Sequence, residues 1–428
     1  MDTNKIHERY DNTLKTGEWW TNPWWQEDCY YNDRLFTREE AEAAFIQLKE
    51  IFDAKWVIEQ RDTVIAKARE WLKKHEQEVI RNSSLLDFKE KLDNSSTPSE
   101  AYKVCILNGF RAVHSLFDNF LSVKGLLLFQ YLVNLGLNLL AVKKANLLEA
   151  DLIIRLKNSN EYLGAHFELD IPSYLIRNGF SVERPRSNGT SKRKADFKVS
   201  KESETLFVEL KKLQPSCENK LISDITYQIS ENLFYDPLIN STQDNICFKL
   251  SRDLVIKTKT SKGRKYVADN WLLIAEQIKH HITERIQRKN YGHHTVPGLG
   301  EYDLFPKEGI EVGVRSFEGF PLLENSEVKK IYHNAIKDAL EQLPPEGPGV
   351  LLVSTFIPLN FNVFQQIVLS KIEKDTKKYQ YLSAIALVYE FFAENKIQYQ
   401  FEILQNHYAV TDVSSYAILK AMLSLGNS

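Results

Sequence analysis

Two residues of one predicted strand, Glu209 and Lys211, have side-chain types and a spacing that suit hydrolytic chemistry. In the segment LFVELK, side chains alternate between the two faces of a strand, so Glu209 and Lys211 project from one face while Val208 and Leu210 point into an apolar layer. Asp196 lies in the preceding predicted strand, which can pair with this one as a hairpin. The sequence therefore predicts two carboxylates and an ammonium group side by side on one sheet.

These residue types suit the hydrolysis of a phosphodiester. Asp196 and Glu209 offer the hard oxygen ligands that Mg²⁺ (or Mn²⁺) accepts, and Mg²⁺ usually needs only one or two protein carboxylates besides its waters. A bound divalent cation lowers the pKa of a water molecule and neutralises charge on phosphoryl oxygens. Lys211 would orient or deprotonate that water, or pair with the phosphate. Glu168, in a preceding predicted helix, would hold a second metal ion or a metal-bound water.

The order of these residues resembles the PD-(D/E)XK nuclease superfamily. The core of that family is a helix, three strands, a helix and a further strand, with an acidic residue on the first helix, Asp on the second strand and Glu-x-Lys on the third. The resemblance implies that Glu168, Asp196, Glu209 and Lys211 are catalytic and that the three carboxylates hold metal. It also implies that Gln228, in the next helix, supports the site.

The resemblance covers residues 162–256 and specifies no substrate, because the superfamily spans restriction, repair, recombination and defence enzymes as well as inactive members. Ala195 precedes Asp196 where many members carry Pro. Glu-x-Lys in a strand is by itself common on solvated faces, where it forms a weak ion pair. The ordered set of elements favours the nuclease interpretation, and strand alternation favours Lys211 over Lys212.

Two basic segments flank the predicted site. The first lies around the hairpin signal Asn188-Gly189, and the second spans residues 249–265. Such segments are usually solvated surface, but their position beside the site predicts contacts with nucleic-acid phosphates. The candidate nucleic-acid-binding residues are Arg186, Lys192, Arg193, Lys194, Lys257 and Lys259.

The predicted fold class is α/β (α+β), with an N-terminal helical domain followed by a restriction-endonuclease-like mixed β-sheet core flanked by helices. The chain of 428 residues is long enough for two or three domains. The predicted parts are a Trp-rich N-terminal arm (1–36), a helical domain (37–158), a nuclease core (159–260) and an α/β continuation that extends the core sheet (261–428).

Several local patterns are informative within the first two parts. Thr37 and Glu40 form a capping box, and a break between helices is predicted near Asp53. The apolar segment 125–145 is interrupted by a polar stripe at Gln130, Asn134 and Asn138, which favours a central bundle helix over a membrane span. The aromatic residues of the arm are predicted to anchor it on the core or on a second subunit, so a homo-oligomer through the N-terminal region is one expectation.

Composition excludes several other classes. The four cysteines are scattered and predict neither a disulfide scaffold nor a zinc cluster, and a phosphate-binding Gly-rich loop is not found. The polar N-terminus predicts no signal peptide and hence a cytoplasmic location. His293 and His294 are predicted to be polar residues of a mobile loop first, and substrate contacts or proton donors second.

Together these observations predict a metal-dependent nuclease that acts on DNA. The roles of other members of the superfamily that it resembles imply a function in host defence or restriction. The net charge of −2 means that any nucleic-acid contact must come from local patches. Two alternatives stay open: a non-catalytic nucleic-acid-binding or assembly protein that retains the nuclease fold, and an RNase on the same scaffold.

Overall fold

The architecture was taken from a computed structural model of the chain. The residues that the structure describes are 15–17, 36–110, 114, 116–117, 126–185, 195–213, 217–234, 236, 239, 244–251, 253–254, 257, 260–306, 315–318, 328, 331–355, 359–393, 396–413, 416 and 418–420. Except for residues 15–17 and 36, the Trp-rich arm lies outside this part of the chain.

Helices make up most of the described chain before residue 178. They are α1 (Arg38–Ile51), α2 (Ala54–Lys74), α3 (Glu76–Arg81), α4 (Ser83–Asp93), α5 (Pro98–Leu107), α6 (Leu126–Lys144), α7 (Ala150–Lys157) and α8 (Tyr162–Arg177). The predicted capping box at Thr37 and Glu40 is confirmed at the start of α1. Asp53 caps α2 through a 2.9 Å hydrogen bond from the Trp56 backbone N–H. The predicted break near Asp53 is therefore a helix start.

We expect Asp53→Ala to lower the free energy of unfolding by about 1 kcal/mol, the usual cost of losing an N-cap side chain. The Asp53→Asn variant separates this cap from the second contact of Asp53, a 3.2 Å ion pair with Lys157 of α7. Asn retains an oxygen for the cap, so most of the stability should return, which urea unfolding followed by circular dichroism would measure. Equal losses in both variants would instead assign the effect to the Lys157 pair.

The later part of the chain supplies the strands and the remaining helices. The strands are β1 (Ser181–Glu183), β2 (Phe197–Lys201), β3 (Glu204–Lys212), β4 (Asn245–Leu250), β5 (Gly292–Val296), β6 (Gly300–Phe305), β7 (Arg315–Glu318), β8 (Gly349–Ser354), β9 (Leu382–Ala393) and β10 (Lys396–Gln405). The helices are α9 (Cys217–Phe234), α10 (Ser261–Gln287), a π-helix (Ile331–Ile336) continued by α11 (Lys337–Gln342), and α12 (Phe361–Ile372) with a 3₁₀ turn (Glu373–Asp375). The predicted mixed α/β class is confirmed.

The strands of the described residues form two sheets. The larger sheet has the order β1-β2-β3-β8-β9-β10; β1, β2 and β3 are antiparallel, β8 is parallel to both β3 and β9, and β9 and β10 are antiparallel. The smaller sheet has the order β5-β6-β4-β7 and comes from the chain between β3 and β8. The strand that follows α9 is thus β4 of the smaller sheet, and the neighbour of β3 in the larger sheet is β8.

The two faces of β3 meet different surroundings. Leu206, Val208 and Leu210 belong to the large apolar cluster that also contains the buried face of α8. Phe207 packs instead against a second cluster that includes Leu351 of β8. Glu209 and Lys211 lie on the face of Phe207, as strand alternation predicts.

Two residues of the polar stripe of α6, Asn134 and Asn138, are buried. Asn138 donates a 2.7 Å hydrogen bond to Asp170 of α8, which also accepts one of 2.9 Å from the Tyr399 hydroxyl of β10. Ser173 donates to the Asn138 amide oxygen at 2.8 Å. A buried polar group is tolerated when its hydrogen bonds are made, so the hydrogen bonds of Asn138 and Asp170 join α6, α8 and β10. Among the described helices, including α6, we find none whose length and apolar character would allow it to cross a bilayer.

The expectation of a mobile loop at His293 and His294 is wrong. Both residues lie in β5, paired with β6. His293 Nδ1 is 3.0 Å from Asp303 Oδ1, and His294 Nε2 is 2.8 Å from the Asn290 carbonyl oxygen. Gly292 and Gly300 are the first residues of these two strands.

Candidate active site

A pocket of about 230 Å³ opens where α7, α8, β3 and the end of α11 meet. All three predicted catalytic carboxylates and the predicted catalytic lysine contribute to its wall. The lining residues are Arg155, Gly164, Phe167, Glu168, Asp196, Glu209, Leu210, Lys211, Lys212 and Gln342. The structure therefore brings Glu168, Asp196, Glu209 and Lys211 together at one place.

Asp196 and Glu209 meet across the start of the β2–β3 ladder. Phe197 pairs with Val208, so continuing this register by one residue places Asp196 opposite Glu209. The side chain of Asp196 is fixed there because its Oδ2 accepts a 2.8 Å hydrogen bond from the Leu210 backbone N–H. The hairpin register alone thus places the two carboxylates side by side.

Glu209 is the most deeply buried carboxylate of the pocket, with 1% of its surface exposed. Its Oε1 is 2.8 Å from Lys211 Nζ, whereas its Oε2 is buried and has no hydrogen-bond partner among the described residues. Burial and, after it, the negative charge of Asp196 raise the pKa of Glu209 to about 8. Burial also raises the pKa of Asp196 above its usual value.

Lys211 is held between a carboxylate and an amide. Besides Glu209, its Nζ contacts the Gln342 side-chain oxygen at 3.2 Å. Burial opposes the charged form of Lys211, but the neighbouring carboxylates, Glu209 first and then Asp196 and Asp338, together outweigh burial and keep the pKa of Lys211 above its usual value. Lys211 is therefore expected to be a cation, which suits contact with an anion such as phosphate better than a role as a base.

Glu168 reaches the pocket with both carboxylate oxygens already bound. Its Oε2 is 2.6 Å from an Arg155 Nη2 and its Oε1 is 2.7 Å from an Arg184 Nη2. The sequence did not indicate this double pairing, because Arg155 comes from α7 and Arg184 from the end of β1. At this position the structure therefore has a carboxylate that is already paired with two guanidinium groups, not a carboxylate free to bind a metal ion.

Gln228 is not among the pocket residues. It lies in α9, which packs against α10, and its backbone carbonyl lies beside Gly109. The amide expected to support the site comes instead from Gln342, at the end of α11. The reason is topological: α9 leads into the smaller sheet, whereas α11 immediately precedes β8, the neighbour of β3.

The neighbouring lysine has a different environment. Lys212 Nζ donates a 2.7 Å hydrogen bond to the Ser354 hydroxyl of β8 and lies 5.7 Å from the centre of the Phe167 ring. It lines the pocket, but its described partners are on the side away from Glu209, in agreement with strand alternation.

The predicted nucleic-acid contacts lie outside the pocket or outside the described residues. Lys257 is exposed, with its Nζ 5.9 Å from the centre of the Tyr266 ring. The predictions that fall outside the described residues are Arg186, Lys192, Arg193, Lys194 and Lys259.

The residues present fit a hard divalent cation held by few protein ligands. Within the described ranges, no group of three or more His, Cys, Asp or Glu side chains is arranged to hold a metal ion. Two carboxylates, Asp196 and Glu209, do face each other, and Mg²⁺ accepts such a pair because water completes its shell. The unpartnered Glu209 Oε2 is the atom that a cation would satisfy, since a buried acceptor without a partner is costly.

Sequence reasoning missed Arg155 and Gln342. Arg155 follows Asp151 by four residues, a spacing that indicates an ordinary surface ion pair on a helix, and that pair is present at 2.8 Å. Gln342 precedes Pro344-Pro345 at a helix end and carries no motif. Both enter the site only through long-range packing.

Comparison with known proteins adds no relative to this picture. No family model matches the chain, and neither the curated proteins nor the solved structures gave a match.

Proposed function

We propose that the protein is a metal-dependent nuclease that hydrolyses phosphodiester bonds at the pocket around Glu209. The observation that carries the proposal is the buried Glu209 Oε2, which has no hydrogen-bond partner among the described residues and belongs to a carboxylate opposite Asp196 and beside Lys211. A second buried carboxylate does not stabilise a purely structural ion pair, because like charges and burial both oppose ionisation. In a site that receives a divalent cation, the second carboxylate strengthens binding of the cation.

The order of elements around the pocket supports the same proposal. Helix α8 carries Glu168, the antiparallel strands β1, β2 and β3 follow it, and β8 lies parallel beside β3. We interpret these elements as the first helix and the strands of a restriction-endonuclease-like core, with the smaller sheet as an insertion before the fourth strand. The arrangement supports membership of the PD-(D/E)XK superfamily as part of the proposal.

The roles of the chain's own residues follow from their contacts. Asp196 and Glu209 would hold Mg²⁺ or Mn²⁺, which when bound supplies an acidified water and neutralises phosphoryl charge. Lys211 keeps its proton and stabilises the negative charge that builds on the phosphate oxygens. Gln342 fixes the Lys211 ammonium through the 3.2 Å contact and so sets the direction in which Lys211 donates. DNA is the proposed substrate, with host defence or restriction as the proposed setting.

The first experiment is a cleavage panel with plasmid, linear duplex DNA, single-stranded DNA and RNA in Mg²⁺, Mn²⁺ or EDTA. We expect cutting in either metal and none in EDTA, because EDTA removes the divalent cation that would act as the Lewis acid at the site. The Asp196→Asn variant, of the same size, controls for a co-purifying nuclease and should be inactive in both metals. Cutting by wild type in EDTA, or equal cutting by Asp196→Asn, would contradict the proposal, and the preferred substrate distinguishes a DNase from an RNase.

A further inference from the structure

Two arginines converge on Glu168, and only one of them lines the pocket. Arg184 lies 5.0 Å above the Phe197 ring and 3.4 Å from Glu149, in addition to its contact with Glu168. Its side chain is 16% exposed, against 27% for Arg155. Arg155 is the member of the pair that belongs to the pocket wall, to which Lys211 also contributes.

Arg155 is oriented by two acids. Its Nε is 2.8 Å from Asp151 Oδ2 on the same helix, and its Nη2 is 2.6 Å from Glu168 Oε2. A guanidinium group carries five N–H donors in a fixed plane, and the contacts described for Arg155 use the Nε and Nη2 positions. The Nη1 position therefore keeps donors for a ligand that enters the pocket.

The charge of the pocket suits an anion as that ligand. Arg155, Lys211 and Lys212 contribute three cations to the wall, against the three carboxyl groups of Glu168, Asp196 and Glu209. Arg184 also pairs with Glu168, and a divalent cation held by Asp196 and Glu209 would offset the charge of these two groups. A guanidinium group binds phosphate oxygens more directionally than an ammonium group does, because its planar fork matches two of them.

On the basis of the proposed function, we propose that Arg155 binds a phosphate group of the nucleic-acid substrate and that Glu168 is its positioning residue rather than a metal ligand. Arg155 then holds the substrate backbone while Lys211 faces the bond that is hydrolysed. The inference extends the binding surface into α7, outside the residues 162–256 on which the nuclease resemblance rests.

The test of Arg155 is oligonucleotide binding in EDTA, where hydrolysis does not occur. We expect Arg155→Gln to weaken the binding of fluorescein-labelled single- and double-stranded DNA by about tenfold or more, as for the loss of one charge-assisted hydrogen-bond pair. The slope of the logarithm of the binding constant against the logarithm of the salt concentration should become less steep, by the amount expected for about one phosphate contact. Lys157→Gln is the matched control: it removes the same charge from the same helix, but Lys157 pairs with Asp53 and is not part of the pocket wall.

The test of Glu168 combines two readouts. In the double variant Arg155→Gln/Glu168→Gln, oligonucleotide binding should be no weaker than in Arg155→Gln alone, because a positioning residue acts only through its partner. Mn²⁺ titration of the protein without nucleic acid should give nearly the same affinity for Glu168→Gln as for wild type, whereas Asp196→Asn should bind Mn²⁺ about tenfold more weakly or worse. Thermal unfolding of each variant checks that it is folded.

The outcomes separate this inference from the proposed function. If Arg155→Gln binds DNA as Lys157→Gln does, or if wild type binds no oligonucleotide, the phosphate role of Arg155 is overturned. If Glu168→Gln loses Mn²⁺ affinity as Asp196→Asn does, Glu168 is a metal ligand and its positioning role falls. Selective loss of binding in Arg155→Gln supports the phosphate role even if wild type cleaves nothing, in which case only the hydrolytic proposal fails.

Discussion

Replacing Lys211 by alanine is expected to lower the rate of metal-dependent cleavage by about 10²- to 10³-fold, the usual range when one preorganised donor to transition-state charge is removed. The side chain of Lys211 is 23% exposed, and Glu209 and Gln342 hold its ammonium group at 2.8 and 3.2 Å. Such a donor needs no reorganisation when charge builds on the phosphate, and water cannot replace it at the same position. Single-turnover cleavage at saturating Mg²⁺ is the appropriate measurement, because it isolates the chemical step from substrate binding.

Two other lysines make this prediction specific. Lys198 of β2 pairs at 2.6 Å with Glu183 of the edge strand β1 and does not line the pocket, so Lys198→Ala should leave the rate unchanged. Lys212→Ala should cost at most about tenfold, because the described contacts of Lys212 are with Ser354 and Phe167. A larger loss from Lys212 than from Lys211 would mean that the ammonium acting on the substrate has been misassigned.

The part of the site that could be predicted from the sequence is the part built by local structure. Asp196, Glu209 and Lys211 come from one hairpin, whose alternation and register decide which side chains share a face. Glu168 lies on the helix immediately before that hairpin. The same locality explains why the capping box at Thr37 and the helix break near Asp53 were predicted, since an N-cap involves only residues within one turn.

The rest depends on pairings between distant segments. The parallel neighbour of β3 is β8, and the chain between them forms α9, α10 and the smaller sheet. A parallel pair needs a crossover, and neither the length nor the content of that crossover is encoded near β3. Gln342 rather than Gln228 reaches Lys211 for this reason, and Arg155 reaches Glu168 because α7 packs against α8.

The second large effect concerns stability and follows from the burial of Glu209. Its pKa in the folded protein, about 8, lies above the value near 4.5 that the unfolded chain would have. A carboxyl group with a raised folded-state pKa stabilises the fold fully below the unfolded value, and this contribution is lost as the pH rises towards 8. In EDTA we therefore expect the free energy of unfolding to fall by about 1.4 kcal/mol per pH unit, at most, between pH 6 and 8 because of this one group.

The Glu209→Gln variant isolates that contribution, because an amide of the same shape does not titrate. Its free energy of unfolding, measured with urea from pH 6 to 8, should fall less steeply than that of wild type. Lys211 does not confuse the comparison: its pKa is raised above 10.5, so its own contribution is lost only at higher pH. Parallel pH profiles for the two proteins would show that Glu209 is ionised throughout, and the buried carboxylate would then be permanently paired with Lys211. The expected result is a wild-type free energy of unfolding that falls more steeply with pH than that of Glu209→Gln, and a smaller fall at pH 8 when Mg²⁺ is present. This result would show that a cation stabilises the charged form of Glu209, as a metal-binding carboxylate requires.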